Sequence, residues 1–497
     1  MTPPSEPRKP APAAPLWRQA FDAAERAVAP RAEDLVRTEY FALGTALVRR
    51  AQTLAGRSVQ GLTARAWHLV NLPAGSDVSR LRTQIGALDR EVRRLGLQLE
   101  AERRRSARTG TASTTRRRRR TAMPQVPSPQ TVLDRVRRDV ERNALRARNG
   151  IKLVAGVDRP GVGLTPKDVV WERGRTQLWH YRNDPDKNGG VRYGPPLLIV
   201  FSLISRSYIL DLTPGNSFVE QLLDAGFDVY LLDWGEPDER DAGNKLEDYV
   251  DDYIPAGIER VLELSGADEV NLFGYCFGGD LTLLYAAHHP DAPLRSLTVL
   301  ATPVDFRHLG PLADIFSVGR MDVSSVLDRD GNVPPSIVVQ GFRTLTPTAE
   351  VTRYVSLWER LWNDEYVASY QAMTGWSDDH VPFPGAAARE TAQMLVRDNG
   401  MITDRLIVSG DPVHLGDISV PFLTVRGKRD HIVPADATAP LIDLVGSDDK
   451  HELVLDAGHM GLVVGRTAAR TTVPTIIDFL RRRSDALDDT GTASEGG

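Results

Sequence analysis

The sequence predicts an α/β fold, a mostly parallel sheet with flanking helices, on three observations. Short apolar runs suited to buried strands alternate with helix-forming segments from about Thr131 to Arg483. One of those runs ends in a glycine-bounded turn that carries the only cysteine of the 497 residues. An aspartate and a histidine follow it in the chain, each just beyond a further strand. Taking the elements in order, a helical lead-in from Thr131 to Arg148 precedes Thr165-Pro166-Lys167-Asp168-Val169-Val170. Leu197 to Phe201 then reads as an apolar strand, Phe218 to Ala225 as a helix and Phe227 to Leu232 as the neighbouring strand. Strand, helix, strand implies a parallel pair.

The next unit is the most informative. Val270 to Phe273 suits a buried parallel strand and Leu281 to His288 continues with helix formers, so the turn between them is sharp. Gly274 and Gly278 lack Cβ atoms, which lets the chain bend tightly and hold Cys276 at the strand tip, as the serine is held in a G-x-S-x-G elbow. Cys276 is the expected nucleophile. Phe422 to Gly427 reads as a strand running into Lys428-Arg429-Asp430-His431-Ile432-Val433-Pro434, which puts Asp430 at a strand's carboxyl end. Glu452 to Leu455 makes the final strand, and His459 lies in the glycine-flanked loop after it.

The order Cys276, Asp430, His459 is that of the α/β-hydrolase fold. In this reading a neutral imidazole at His459 takes the thiol proton, while the Asp430 carboxylate fixes its tautomer and stabilises the imidazolium that forms. The expected oxyanion donors are the backbone N–H of Phe277 and, from the loop Ser202 to Tyr208, that of Ile204. Such donors are worth about 3 kcal/mol each, which favours acyl transfer over hydride or phosphoryl chemistry. No G-x-G-x-x-G or P-loop pattern supports the latter two, and no metal site is expected.

Composition sets the surroundings. With 41% hydrophobic and 26% charged residues, a net charge of −5 and one cysteine, the chain cannot form an internal disulfide, and the expected compartment is the cytoplasm. No apolar run approaches the roughly 20 residues that span a bilayer, and Met1 to Pro15 is proline-rich without an apolar signal core. Five segments are expected: a disordered start (1–15), an arginine- and alanine-rich helical region (16–108), a linker (109–130) containing Arg116 to Arg120, the body (131–483), and a polar disordered tail (484–497). Within the second, Val78, Leu81, Ile85, Leu88, Val92, Leu95 and Leu99 follow coiled-coil spacing on a helix at about 76–100, which Ser76 or Asp77 can cap. Its partner is either the preceding helices, Trp17 to Val70, or a second copy of the chain. The arginine run serves as a solvated connector or binds an anionic surface; nucleic acid is not an expected partner.

The body resembles a class III polyhydroxyalkanoate synthase. The segments that carry the resemblance are Thr165 to Val170, Tyr208 to Leu212, Asp228 to Gly235, the G-x-C-x-G-G box, Thr302-Pro303-Val304-Asp305-Phe306, Asp430 to Pro434 and Gly458 to Gly461. The resemblance implies polymerisation of (R)-3-hydroxyacyl-CoA through an acyl-cysteine at Cys276, with His459 as base and Asp430 helping to activate the 3-hydroxyl for chain extension. It implies no cofactor beyond the CoA thioester substrate, a cap over the site from about His308 to Leu415 with Trp362-Asn363-Asp364 in it, a homodimer, and residence at the surface of polyester granules. Leu69 to Pro73 and the heptad helix look like the tail of the accessory subunit, or a phasin, fused to the body. Three positions stand out: Asp280 where such synthases carry threonine, Ser205-Arg206-Ser207 at the oxyanion loop, and Asp305 as an alternative acid. A polyester depolymerase or thioesterase with the same triad, and a non-catalytic granule protein, remain the alternatives.

Overall fold

In the computed structural model, residues 129–156, 159–310, 322–345 and 356–487 are described, all within the unit Pro127–Gly497. The expected disordered start, helical region, heptad helix and nearly all of the arginine linker lie outside them. The lead-in helix α1 runs Pro129–Ala155, longer at both ends than expected and taking in the last two residues assigned to the linker.

Among the described residues nine strands form the main sheet, eight of them along one path: β1 Lys167–Arg173, β2 Thr176–Tyr181, β3 Tyr193–Val200, β4 Phe227–Asp233, β5 Val270–Tyr275, β6 Leu294–Leu300, β7 Phe422–Gly427 and β8 Lys450–Leu455. Their spatial order is β1-β2-β4-β3-β5-β6-β7-β8. The β1–β2 and β2–β4 pairs are antiparallel; every later pair along the sheet is parallel. Central strands covered on both faces read as continuous apolar runs. In β3, Leu198 and Val200 join the core on one face with helices α3 (Ile254–Ser265) and α4 (Phe277–His288), whereas Leu197 and Ile199 join the core on the other with α2 (Phe218–Asp224) and the helix Val473–Arg481.

Strand order reverses at β3: the chain passes to β4 on one side and returns to β5 on the other. Val200 pairs with Gly274 at the carboxyl ends of these strands, so the loops that follow them open side by side at the topological switch point. At the far edge Gly427 of β7 pairs with Leu455 of β8, which likewise sets the loops holding Asp430 and His459 next to each other.

The segment between β6 and β7 contributes helices α5 (Pro335–Leu345) and α6 (Asp364–Asp378), and the short antiparallel pairs Asn332–Val333 with Phe383–Pro384 and Leu406–Val408 with Asp411–Val413. The Trp362-Asn363-Asp364 tripeptide has a joining role there. Asn363 Oδ1 caps α6 by accepting from Tyr366 N at 2.8 Å, and Asp364 accepts from Arg148 (2.6 Å) and Asn149 (2.7 Å) of α1. Trp362 lies under the Arg142 guanidinium at 4.6 Å.

The chain closes with α7 (Val473–Arg481), whose Val473, Ile476, Phe479 and Leu480 are buried. The expected disordered tail needs correction at its start. Asp485 and Ala486 pair antiparallel with Gly194 and Tyr193 of β3, because the backbone groups at the beginning of β3 offer a ladder that the returning chain can join.

Candidate active site

The turn between β5 and α4 carries Cys276 at φ 54° and ψ −126°, a conformation L-residues rarely adopt. Backbone crowding explains the glycines. A Cβ on Gly278 would lie 2.2 Å from Val200 O, and one on Gly274 would lie 2.5 Å from Gly279 Cα. A third glycine, which the sequence reading left without a role, is as constrained: a Cβ on Gly279 would meet Thr302 Oγ1 at 1.8 Å. The turn is tied down by Cys276 N donating to Leu300 O at 2.9 Å and by Gly279 N donating to Cys276 O at 2.8 Å.

His459 and Asp430 form a buried pair, with His459 Nδ1 2.8 Å from Asp430 Oδ2. The other carboxylate oxygen accepts from Ile432 N (2.9 Å) and Val433 N (2.8 Å), which locks the acid's orientation. Burial by itself lowers the imidazole's pKa. The Asp430 carboxylate, and after it the charge and hydrogen bond of Cys276, more than offset that and raise it to about 10. With Nδ1 committed to Asp430, Nε2 is the nitrogen left for the sulfur. Tyr275 packs its ring 5.1 Å from the imidazole, and its hydroxyl donates to His459 O at 3.4 Å.

Cys276, Asp430 and His459 are therefore together. Asp305 is elsewhere: its oxygens accept from Arg307 (2.6 and 2.8 Å) and Asn399 (3.0 Å), so it is a loop anchor and not the orienting acid.

Phe277 stands in the first turn of α4, where an N–H has no intrahelical acceptor. Ile204 N has only a long contact, 3.4 Å, to Ser202 Oγ. The loop around Ile204 is fastened to the end of α6, a connection the sequence did not announce. Trp376 Nε1 donates to Arg206 O at 2.7 Å, the Arg206 side chain pairs with Glu236 (2.8 Å) and Asp379 (3.3 Å), and His380 Nδ1 lies 3.1 Å from Ile204 O.

A cavity of about 400 Å³ opens at Cys276, walled mainly by apolar side chains such as Phe277, Phe306, Val333, Phe342 and Phe383. Asp280 lines it too. Its side chain is fully buried, neither oxygen has a hydrogen-bond partner, and its pKa is pushed well up, by burial first and then by Cys276. As a charged group Asp280 would oppose thiolate formation at Cys276; burial instead favours its protonated, uncharged form.

Among the described residues, the grouping with metal-ligand chemistry is Asp251, His288 and His289, whose ligand atoms all lie within 4.8 Å of one another. His289 Nε2 is 2.8 Å from Asp251 Oδ1, and Ser409 donates to the other oxygen. It sits at the carboxyl end of α4, about 18 Å along the helix from Cys276, and has no part in the site. Among the described residues no helix is long and apolar enough to cross a membrane.

Residues 196–465 match the family model described as the alpha/beta hydrolase fold. The chain is 34% identical over 341 residues to the poly(3-hydroxyalkanoate) polymerase subunit PhaC of Haloferax mediterranei, covering 68% of each chain. To the poly(3-hydroxyalkanoate) polymerase subunit PhaC of Allochromatium vinosum it is 32% identical over 335 residues, 67% of this chain and 93% of that one.

Proposed function

The chain belongs to the poly(3-hydroxyalkanoate) polymerases, acyltransferases on an α/β-hydrolase fold, and from that premise we propose how its residues polymerise (R)-3-hydroxyacyl-CoA. Cys276 Sγ attacks the thioester carbon after its proton has passed to His459 Nε2. The C–S bond to CoA then breaks, the leaving thiolate takes that proton, and an acyl-cysteine remains. The N–H groups of Phe277 and Ile204 donate to the oxyanion. For extension, His459, oriented by Asp430, accepts the proton of a 3-hydroxyl as that oxygen attacks the acyl-cysteine; the ester C–O bond forms, the acyl C–S bond to Cys276 breaks, and the departing sulfur takes the proton back from His459. A thiol suits the exchange because one thioester replaces another at nearly equal energy. The reaction calls for no cofactor besides the CoA thioester itself.

One observation carries this reading: the cysteine at the strained turn, the buried histidine–carboxylate pair and the apolar cavity converge on one point. The apolar walls keep water scarce where the acyl-cysteine forms, favouring a hydroxyl over hydrolysis. The depolymerase, thioesterase and granule-protein alternatives are not favoured by the relatives.

We further propose that the protein works at the granule surface in the cytoplasm as a homodimer, and that the region before the body substitutes for, or recruits, an accessory subunit or phasin. Removing that region lowers specific activity or polymer binding; unchanged behaviour of residues 125–497 sinks the fused-accessory idea.

The deciding experiment incubates the purified protein with (R)-3-hydroxybutyryl-CoA, follows CoA release and weighs the acyl products, with Cys276→Ala as control. Cysteine-dependent release with growing oligomers supports the reading. Free monomeric acid makes the protein a hydrolase.

A further inference from the structure

Asp280 is a fully buried carboxyl group beside the nucleophile that takes no part in the proposed acyl transfer. It stands four residues beyond Cys276 on α4, about 6 Å further along the helix axis, in the wall of the cavity that opens at the sulfur. The cavity wall is mostly apolar, and neither of the Asp280 oxygens has a hydrogen-bond partner. Buried polar groups in folded proteins are nearly always satisfied, so an unpaired one in the wall of a reactive cavity calls for a partner or a catalytic role.

The partner must suit both halves of a neutral carboxyl group, an O–H that donates and a C=O that accepts. A hydroxyl does both, whereas an ester or thioester carbonyl only accepts. Once an acyl group is bonded to Cys276, an oxygen on its third carbon lies four bonds from the sulfur, one helical turn being the interval to Asp280. Resting on the acyl-cysteine reading, we propose that Asp280 is the polar subsite of the acyl cavity and binds the 3-hydroxyl of the substrate, so that the enzyme takes hydroxyacyl thioesters in preference to plain acyl ones. The upward shift of the Asp280 pKa, caused first by burial, agrees, since it favours the protonated form that carries an O–H. A site built to pair with a hydroxyl discriminates against the analogue that lacks it, because the analogue leaves the buried carboxyl unpaired.

The test compares the full-length protein with Asp280→Leu, Asp280→Val and Asp280→Asn, using (R)-3-hydroxybutyryl-CoA and butyryl-CoA as probes. It reads single-turnover CoA release and the mass of the Cys276 adduct. Two apolar variants are used so that misfolding of one leaves the other, and urea midpoints certify the fold of each. In the unsubstituted protein the hydroxyacyl thioester is expected to react faster by tenfold or more. The apolar variants are expected to lower that ratio by about tenfold while butyryl transfer is kept, and Asp280→Asn, which still donates and accepts, keeps most of the preference.

A merely structural Asp280 moves both probes together and leaves the ratio unchanged, and that result overturns the proposal. So does an unsubstituted protein that acylates Cys276 equally from both thioesters, an outcome that leaves the acyltransferase reading standing. CoA release from neither probe overturns both.

Discussion

Cys276 holds a backbone conformation that costs an L-residue about 1–3 kcal/mol, and the close packing of Gly274, Gly278 and Gly279 is what enforces it. Cys276→Ala should therefore leave the fold stable while cutting CoA release by about 10⁴-fold, measured as thiol liberated per enzyme. His459 yields a pH prediction. Its pKa in the folded protein, about 10, stands above the ordinary 6.5, so the folded state binds the proton more tightly than the unfolded state. Its contribution to stability is complete below about pH 6.5 and is lost as pH rises towards 10, which urea midpoints across that range will register. In Asp430→Asn the carboxylate's attraction is gone, and the imidazole titration followed by NMR should move down by about 1–3 pH units. The positions of Cys276, Asp430 and His459, which the fold brings together, were legible in the sequence because each sits in a glycine-marked loop directly after an apolar strand. The state of Asp280 was not: a charge beside a nucleophile reads as repulsive until helix packing shows it buried, where the protonated form is favoured.

At the scale of elements, the turn into α4 separates two kinds of crowding. Gly278→Ala drives a methyl into the backbone of Val200 and Phe201, so no side-chain change relieves it. Gly279→Ala drives one into the Thr302 side chain, and Thr302→Gly should restore part of the lost denaturation midpoint. Thr302→Gly should not restore Gly278→Ala; restoration of both glycine variants by Thr302→Gly, or of neither, contradicts this account. Trp376→Phe removes the hydrogen bond from α6 to the Arg206 carbonyl, at about 0.5–1.5 kcal/mol, and slackens the loop that presents Ile204. CoA release should fall by up to about tenfold while urea titration finds the main sheet intact. The central strands were readable because sheets covered on both faces require unbroken apolar runs, as in Leu197 to Val200. The stapling of α6 to the loop that holds Ile204 was hidden, since Trp376, Asp379 and His380 lie more than 160 residues from Ile204 and Arg206, with no periodicity connecting them.

Across the whole molecule, strand order does the assembling: one reversal at β3 brings the Ile204 loop beside Cys276, and the β7–β8 edge delivers Asp430 with His459. Over this frame lies α5, an amphipathic helix with no buried residue, whose Ile337, Val338, Phe342 and Leu345 face the cavity. An acyl chain held in the cavity covers that face, and so becomes a detachable portion of the hydrophobic core. By mass action, a ligand at a hundredfold excess over its Kd stabilises the protein that binds it by about 2.7 kcal/mol. The melting temperature of the protein should therefore rise once Cys276 is acylated, and rise further as the attached chain lengthens to fill the cavity. An enzyme carrying its polymer then outlives one without it when proteases sample the open form, so the persistence of the catalyst in the cell is set by the presence of its own product.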